Sequence, residues 1–190
     1  DYFFYPSGAM AANGWAGRNE ENYSWWVYAT GSGALYKGWL WDNGWYYLGD
    51  VMYDSGNYYF EAEDKWYVFE KGGRMANGGW VSCPYSYKYE DGSTLEGVTW
   101  YYANSDGTAY NGWLQDGGNW YMINYGYMVE NSSFTDGGTG KTYFFQKGGV
   151  MATTPGWYAA VYTYSDGMQS VDWYYVKDAS GELYADGTYK

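Results

Sequence analysis

The residues best equipped for chemistry in this sequence are aromatic. The fifteen-residue stretch GWLWDNGWYYLGDVM, Gly38 to Met52, devotes five positions to Trp or Tyr, either side of a tight turn. Leu, Ile and Val supply core bulk without a polar edge, so rings at this density point to a surface that stacks, either on other rings of the chain or on a ligand. A ring offers a negative face to a cation, and a flat one to the C–H side of a sugar. Other chemistries are poorly served. There is no His and a single Cys, Cys83, which removes imidazole bases, the commonest metal ligand and any internal disulfide. Carboxylates such as Glu61, Glu63 and Asp64 read as a solvated turn, with no dry cleft to shift their pKa values and no nucleophile–base pair. The chain is read as non-enzymatic and without cofactor or metal, with Cys83 a small buried filler.

The elements that hold these rings must be unusual, because the chain lacks the means for an aliphatic core. Aromatics make up 25% of its 190 residues and Gly numbers 29, while Ile occurs once, at Ile123. Rings must be buried instead, each tending to keep one polar edge wet. The net charge of −12 speaks against nucleic acid, whose phosphates need clustered Lys and Arg. No apolar run approaches the ~20 residues that cross a bilayer as a helix, so membrane insertion is not expected. A cationic or neutral ligand fits the charge.

Self-similarity is the strongest signal. YFFYPSGAMAANGW (2–15), YVFEKGGRMANGGW (67–80) and YFFQKGGVMATTPGW (143–157) are copies of one unit, with Tyr2, Tyr67 and Tyr143 standing at one fixed distance before Met10, Met75 and Met151. A second kind begins at Trp25, Trp100 and Trp173, and a third at Gly44 and Asn119. The order also recurs at a longer period: Trp25 returns as Trp100, Trp39 as Trp113 and Trp45 as Trp120, at almost the same interval each time. The reading is one repeat array over 1–190, with super-repeats of approximately 1–64, 65–141 and 142–190.

Within a unit the signals are those of a β-hairpin. Triplets such as Trp45-Tyr46-Tyr47 and Trp100-Tyr101-Tyr102 favour strands. Asp106-Gly107, Gly148-Gly149 and Ser180-Gly181 are read as the hairpin turns, and Asn43-Gly44 and Asp116-Gly117-Gly118 as breaks between units. The Tyr-rich segments 81–99 and 158–172, turning at Asp91-Gly92 and Asp166-Gly167, are read as extended hairpin arms, and 16–24 as a shorter linker. The last unit has Thr188 near the place where Gly-Trp is expected, as in a capping unit. With a start that lacks a lead-in, this makes the chain expected to be the C-terminal part of a longer protein. Helical periodicity is absent. Isolated hairpins are marginal in water, so stability must come from stacking one upon the next.

Gly-Trp, a few polar residues with Gly, Trp-Tyr-Tyr, then Gly and Met: this pattern resembles the cell-wall-binding repeats of bacterial surface proteins and phage lysins. The choline-binding modules are the best-known members, and glucansucrases and clostridial toxins carry related repeats. The resemblance covers nearly the whole chain. It implies an all-β fold, a β-solenoid of stacked aromatic-rich hairpins, secreted and held at the bacterial surface. It also implies ligand boxes between neighbouring hairpins, made from the Gly-Trp ring, the first ring of the next triplet and an aromatic of the following hairpin, beside Met or Leu. Carried over, the boxes are Trp39 and Trp45 with Met52, and Trp113 and Trp120 with Met128. Trp15, Trp80 and Trp157 depart from the pattern, their next triplets beginning only at Trp25, Trp100 and Trp173; their arms would cover a box or rebuild it with Tyr85, Tyr87 or Tyr162. The implied partner is a cell-wall polymer, a choline-bearing teichoic acid or polysaccharide. The rival is an α-glucan such as dextran or starch, for which Asp42, Asn43, Asp116 and Asn119 would serve hydroxyls if they do more than turn the chain. A structural spacer or adhesive stalk, its boxes filled by its own side chains, is the third reading.

Overall fold

Alternation of rings with Gly and small residues gives the chain strands with one face to bury, and it does so by folding back on itself at short intervals. The computed structural model describes residues 1–19, 24–90, 92–164 and 167–184. They form antiparallel hairpins in series: β1 (Gly14–Asn19) with β2 (Ser24–Ala29), β3 (Gly38–Trp41) with β4 (Trp45–Leu48), β5 (Gly56–Phe60) with β6 (Lys65–Phe69), β7 (Gly79–Lys88) with β8 (Thr94–Ala103), β9 (Gly112–Asp116) with β10 (Asn119–Asn124), β12 (Ser132–Thr135) with β13 (Thr142–Phe145), and β14 (Gly156–Thr163) with β15 (Gln169–Val176). A short β11 (Tyr127–Met128) lies between β8 and β10 and joins two hairpins into one five-stranded sheet. No helix occurs among the described residues, and the fold is all-β.

The phase of the hairpins differs from the sequence reading. The Gly-Trp segment is the first strand and the aromatic triplet the second, so Trp39 pairs with Tyr47 across the Asn43-Gly44 turn. Asn43-Gly44 and Asp116-Gly117-Gly118 are the hairpin turns. Asp106-Gly107, Gly148-Gly149 and Ser180-Gly181 lie in the connecting segments instead. Both sets have the same turn chemistry, which is why composition alone does not choose between them. The extended arms appear as expected, with ten residues in each of β7 and β8 and eight in each of β14 and β15. Of the segment 16–24, the described residues belong to β1 and β2 rather than to a linker. Residues Asp91, Asp166 and Thr188, which the sequence reading places in turns and in a cap, lie outside the described residues.

A buried residue stands at the end of each second strand, or one before it in β10: Ala29, Leu48, Phe69, Ala103, Ile123, Phe145 and Val176, none more than 1% exposed. Each of several bridges to a residue a tight turn later, as Leu48 does to Met52, Phe69 to Met75 and Phe145 to Met151. That residue then donates its backbone N–H to the second strand of the preceding hairpin: Met52 to Trp26, Met75 to Trp45, Ala109 to Trp66, Met151 to Trp120 and Leu183 to Thr142, all at 2.7–2.8 Å. These junctions are thus fixed by the same bond, worth about 1 kcal/mol net, plus the apolar residue beneath it. Gly107 shows how close the units come. Its φ is +82°, and a Cβ added there would stand 2.6 Å from Cε of Met75 in the preceding unit, so only Gly lets the turn close over that methionine. The free Cys83 is buried as expected, its thiol donating to the Phe69 carbonyl at 3.7 Å.

Candidate functional site

Cross-strand register decides which rings meet. In an antiparallel pair the ring diagonal to Trp39 is not its direct partner Tyr47 but the residue two earlier, Trp45. The Trp39 and Trp45 rings are 6.5 Å apart at 88°. The next hairpin supplies a third wall, Tyr67 of β6, 5.0 Å from Trp39 at 70°. Its connecting segment supplies the floor, Met75, which lines the cavity together with Glu63 and Asp106. The cavity measures about 350 Å³, and no Lys or Arg lines it. Trp45 keeps 43% of its surface in solvent, so the cavity opens outward along that ring. Tyr36, three residues before Trp39, donates its hydroxyl to the Trp39 carbonyl at 2.7 Å and steadies the start of the strand.

The second expected box has the same geometry. Trp113 and Trp120 lie 6.2 Å apart at 88°, with Tyr143 of β13 at 4.9 Å and 87° from Trp113. Met151 packs in the cluster that Trp113 and Tyr143 cover, and donates its N–H to the Trp120 carbonyl. Tyr110 repeats the bond of Tyr36, donating to the Trp113 carbonyl at 2.7 Å.

The methionines are displaced by one unit from the sequence expectation. Met52 does not line the Trp39–Trp45 cavity; it is bonded to Trp26, one hairpin back, and its place is held by Met75. Likewise Met128 sits in the segment that pairs with β8 through Tyr127 and Tyr101, and Met151 takes the position expected of it. The reason is topological: the bridge after each second strand reaches backward, so the methionine next in sequence serves the preceding junction.

Of the three Trp residues that depart from the spacing, Trp80 falls into the pattern. The long arms only lengthen its hairpin, and Trp100 returns to 6.5 Å at 85°, with Tyr121 of the next hairpin at 5.0 Å. Trp15 meets Tyr46 of the next hairpin at 5.1 Å, while Trp26 folds across the bare backbone of Gly17, its direct partner in the ladder. Trp157 packs at 5.1 Å on Tyr175 of its own hairpin. Tyr85 and Tyr87 stay exposed on the arms and rebuild no box; Tyr162 donates to the Asn131 carbonyl at 3.2 Å. Tyr46, Tyr67, Tyr121 and Tyr143 are third walls that the sequence reading left unnamed. The signal for them is present: each lies in the triplet of the hairpin that follows a Gly-Trp.

A further layer was hidden in residues read as turns. Four of the Gly-Trp indoles donate their Nε1–H to a carboxylate of the following hairpin: Trp15 to Asp42 at 2.7 Å, Trp39 to Glu63 at 2.9 Å, Trp80 to Asp116 at 2.9 Å and Trp113 to Asp136 at 3.4 Å. Asp42 and Asp116 are thereby engaged with indoles. Glu63 holds two walls at once, since its other oxygen accepts from the Tyr67 hydroxyl at 2.6 Å. The bond from Tyr67, and then that from Trp39, keeps the Glu63 carboxyl below the usual carboxylate range. Burial, and then the Glu63 bond, push the Tyr67 hydroxyl up to about 12. Asp106 is lowered by the Thr108 hydroxyl and backbone. At neutral pH the cavity therefore carries a neutral phenol and two carboxylates in the anionic form. No group of His, Cys, Asp and Glu that could hold a metal is found among the described residues.

No protein-family model matches the chain, and no curated protein is similar to it. Similarity is found instead among solved structures. Choline-binding protein F of Streptococcus pneumoniae, whose structure was determined in the presence of a peptidoglycan analogue, is 28% identical over 94% of this chain and 48% of its own, with a TM-score of 0.48. The choline-binding domain of CbpL from the same bacterium is 26% identical over 93% of this chain and 99% of its own, with a TM-score of 0.28. A third choline-binding domain of that organism is 30% identical over 57% of this chain and 95% of its own, with a TM-score of 0.34. The chain spans about half the length of two of the choline-binding protein F structures it matches.

Proposed function

We propose that this chain, whose repeats resemble those of choline-binding modules, is a non-catalytic β-solenoid that anchors a secreted protein to a bacterial surface polymer by gripping quaternary ammonium groups between its hairpins. The observation that carries this reading is the Trp39–Trp45–Tyr67 cavity, floored by Met75 and flanked by Glu63 and Asp106. Three ring faces attract a cation and ask no hydrogen bond of its methyl groups. The two carboxylates add long-range attraction and an anionic rim. A spacer whose boxes were filled by its own side chains would leave no such opening. A sugar would need polar groups free for its hydroxyls, whereas Glu63 is engaged by Trp39 and Tyr67, Asp106 by Thr108, and Asp42 and Asp116 by Trp15 and Trp80.

In this reading the super-repeat that runs from Trp25 to Trp100 holds three hairpins, of which two junctions carry an aromatic box. Trp39 with Trp45 and Trp113 with Trp120 are the principal ligand sites, Trp80 with Trp100 a third. Weak sites linked in one array gain strength on a polymer that bears many ammonium groups, because each bound site raises the effective concentration at the next. Titrating the chain with choline while following Trp fluorescence tests the proposal, with a soluble α-glucan in parallel. The expected result is a saturable change with choline alone, weakened in Trp45→Ala. A response to the glucan alone would transfer the module to the carbohydrate-binding branch, and silence from both would leave the spacer reading standing.

A further inference from the structure

The box is lost at the junction between hairpins β5–β6 and β7–β8, and a different surface is built there. The usual Trp is replaced by Asn57 and the usual Met by Ala109. Rings remain on the same face of the hairpin, where Trp66 keeps the place of Trp45 and Tyr59 lies two residues from Asn57. Tyr59 stands directly opposite Trp66 across the hairpin, their centroids 5.5 Å apart. Tyr125, from the turn between β10 and β11, lies 5.8 Å beyond Trp66. The interplanar angles, 44° and 45°, give the strip of three contacting rings a marked tilt at each step. Tyr59 and Tyr125 are 47% and 54% exposed. Asp64, Asp106, Thr108 and Asn111 border the cavity of about 270 Å³ in front of Trp66 and Tyr125.

Tyr125 is held there against its own backbone preference. Its φ is +48°, and the other non-Gly residues in this region are Asn, Asp and Ser, which accept it readily; for a bulky ring it is a strained conformation. Two side-chain amides enforce it. Asn111 accepts the Tyr125 N–H at 3.0 Å, and Asn57 donates to the Tyr125 carbonyl at 2.7 Å. The residue that replaces the missing Trp thus presents a ring from another hairpin. The corresponding hairpin of the next super-repeat, β12–β13, has Thr135 and Thr142 at the places of Tyr59 and Trp66. Stacking of hairpins therefore does not by itself require rings there.

We propose that the Tyr59–Trp66–Tyr125 strip is a saccharide-binding surface, formed by other rings than the ammonium boxes though it shares Asp106 with the Trp39 box, that takes an extended chain of all-equatorial pyranoses with one sugar on each ring. The ring-to-ring steps match the advance of one residue along a β-1,4-linked chain. The C–H faces of such sugars lie flat on aromatic rings, and their equatorial hydroxyls project sideways toward Asp64, Asp106 and Asn111. The strip is open on one side, so it cannot surround a small cation as the boxes do. Asp64 fixes one end of it by accepting the Tyr59 hydroxyl at 2.7 Å. An array carrying both features would hold the ammonium substituents and the glycan backbone of a surface at once.

The test titrates the full chain with the β-1,4-linked tetramer of N-acetylglucosamine at saturating choline, by calorimetry. Saturable binding that choline does not displace is expected. Tyr125→Gly should weaken it at least tenfold while raising Tm, because Gly takes a positive φ without strain; a ring that served only packing would give a fall in Tm instead. Tyr59→Ala should weaken the sugar as well and leave the choline titration unchanged, and Trp45→Ala should weaken choline and spare the sugar. Absence of binding to the unaltered chain, displacement by choline, or full binding by Tyr125→Gly would each overturn the proposal. Choline titrated alone reports on the boxes independently, so the two readings fail separately.

Discussion

The boxes at Trp39 and Trp113 have nearly superimposable walls and quite different backing. Trp39 lies against two further rings, stacked on Phe60 at 5.1 Å and on Phe69 at 6.1 Å, with interplanar angles of 19° and 18°. Among the described residues, Trp113 has one ring behind it, Phe145, at 5.9 Å and 44°, and its direct ladder partner is Met122 where Trp39 has Tyr47. The carboxylates differ as well. Glu63 ties Trp39 to Tyr67, whereas Asp136 is held mainly by the Gly138 backbone and the Thr139 hydroxyl of its own turn and takes Trp113 at the long distance of 3.4 Å. Equal walls with unequal backing separate the recognition of a ligand from the rigidity with which it is met. The Trp39 box is the more preorganised of the two, and preorganisation lowers the cost of binding.

The largest break in this comparison is Trp39→Ala. Removing a ring packed on both Phe60 and Phe69 is expected to cost about 3–5 kcal/mol, in the range for large aromatic truncations. Trp113→Ala should cost distinctly less, because fewer rings lose a partner. Urea unfolding followed by far-UV circular dichroism measures both. Equal losses would show that the second layer contributes nothing. The rim rings behave otherwise: Trp45→Ala and Trp120→Ala should each weaken choline at a smaller cost in stability than Trp39→Ala, since 43% and 40% of their surface stays in solvent.

Next in size is the carboxylate. Glu63→Gln leaves an amide that serves either the indole or the phenol less well, and removes the charge. A loss of about 0.5–1.5 kcal/mol is expected, because Glu63 is exposed and solvent screens its bonds, along with weaker choline binding at that box. Asp136→Asn should have a smaller effect on its own box, because the Trp113 bond is already long. Calorimetric titration with choline, resolving strong from weak sites, distinguishes the two. If both substitutions act alike, the doubly bonded Glu63 is not what sets the boxes apart.

Much of this is legible in the sequence, and the limits have physical causes. The repeat, the all-β hairpins and the long arms follow from Trp and Tyr triplets alternating with Gly, because strand preference and turn chemistry are local properties. The pairing of Trp39 with Trp45 is also local, since both lie in one hairpin. Met75 and Tyr67 escape assignment to that box, because they come from the following hairpin and only the backward bridge of the connecting segment brings them in. Glu63 reads as a turn residue for the same reason: its role depends on an indole 24 residues away. The box of Trp80 with Trp100 is hidden by the long stretch between its rings, which looks like separation until the arms are seen to pair with each other.

Acid and alkali sharpen the comparison further. Glu63 is held below its ordinary range by the bonds from Tyr67 and Trp39. Its stabilising contribution is therefore present above the usual carboxylate pKa and is lost as pH falls through the lowered one. Tyr67 has the opposite sense: with its hydroxyl raised to about 12, its contribution is complete below the ordinary phenol value of about 10 and disappears as pH rises through the folded one. Tyrosinate absorbance during an alkaline titration should show a fraction of the phenols ionising late. In Glu63→Gln that late fraction should move down, though not fully to the ordinary value, because burial is the larger cause. A titration curve unchanged by Glu63→Gln would mean that the Glu63–Tyr67 bond does not exist in solution.

The smallest effect belongs to the methionine floor, and it decides what that floor is for. Met75 and Met151 each sit below a Trp–Trp–Tyr set and beneath the glycine of the next turn, Gly107 and Gly181. An unbranched, polarisable side chain fills such an irregular gap. Met75→Leu and Met151→Leu nearly conserve volume and should each cost less than about 1.5 kcal/mol. If Met serves the ligand only as apolar bulk, choline affinity should hardly change at either box. The branched Leu must still fit beneath a turn that leaves almost no space, and at the Trp39 box the stacked Phe60 and Phe69 cannot yield. Met75→Leu is therefore expected to cost slightly more stability than Met151→Leu. The reverse order would place the stiffer backing at Trp113 and invert the comparison between the boxes.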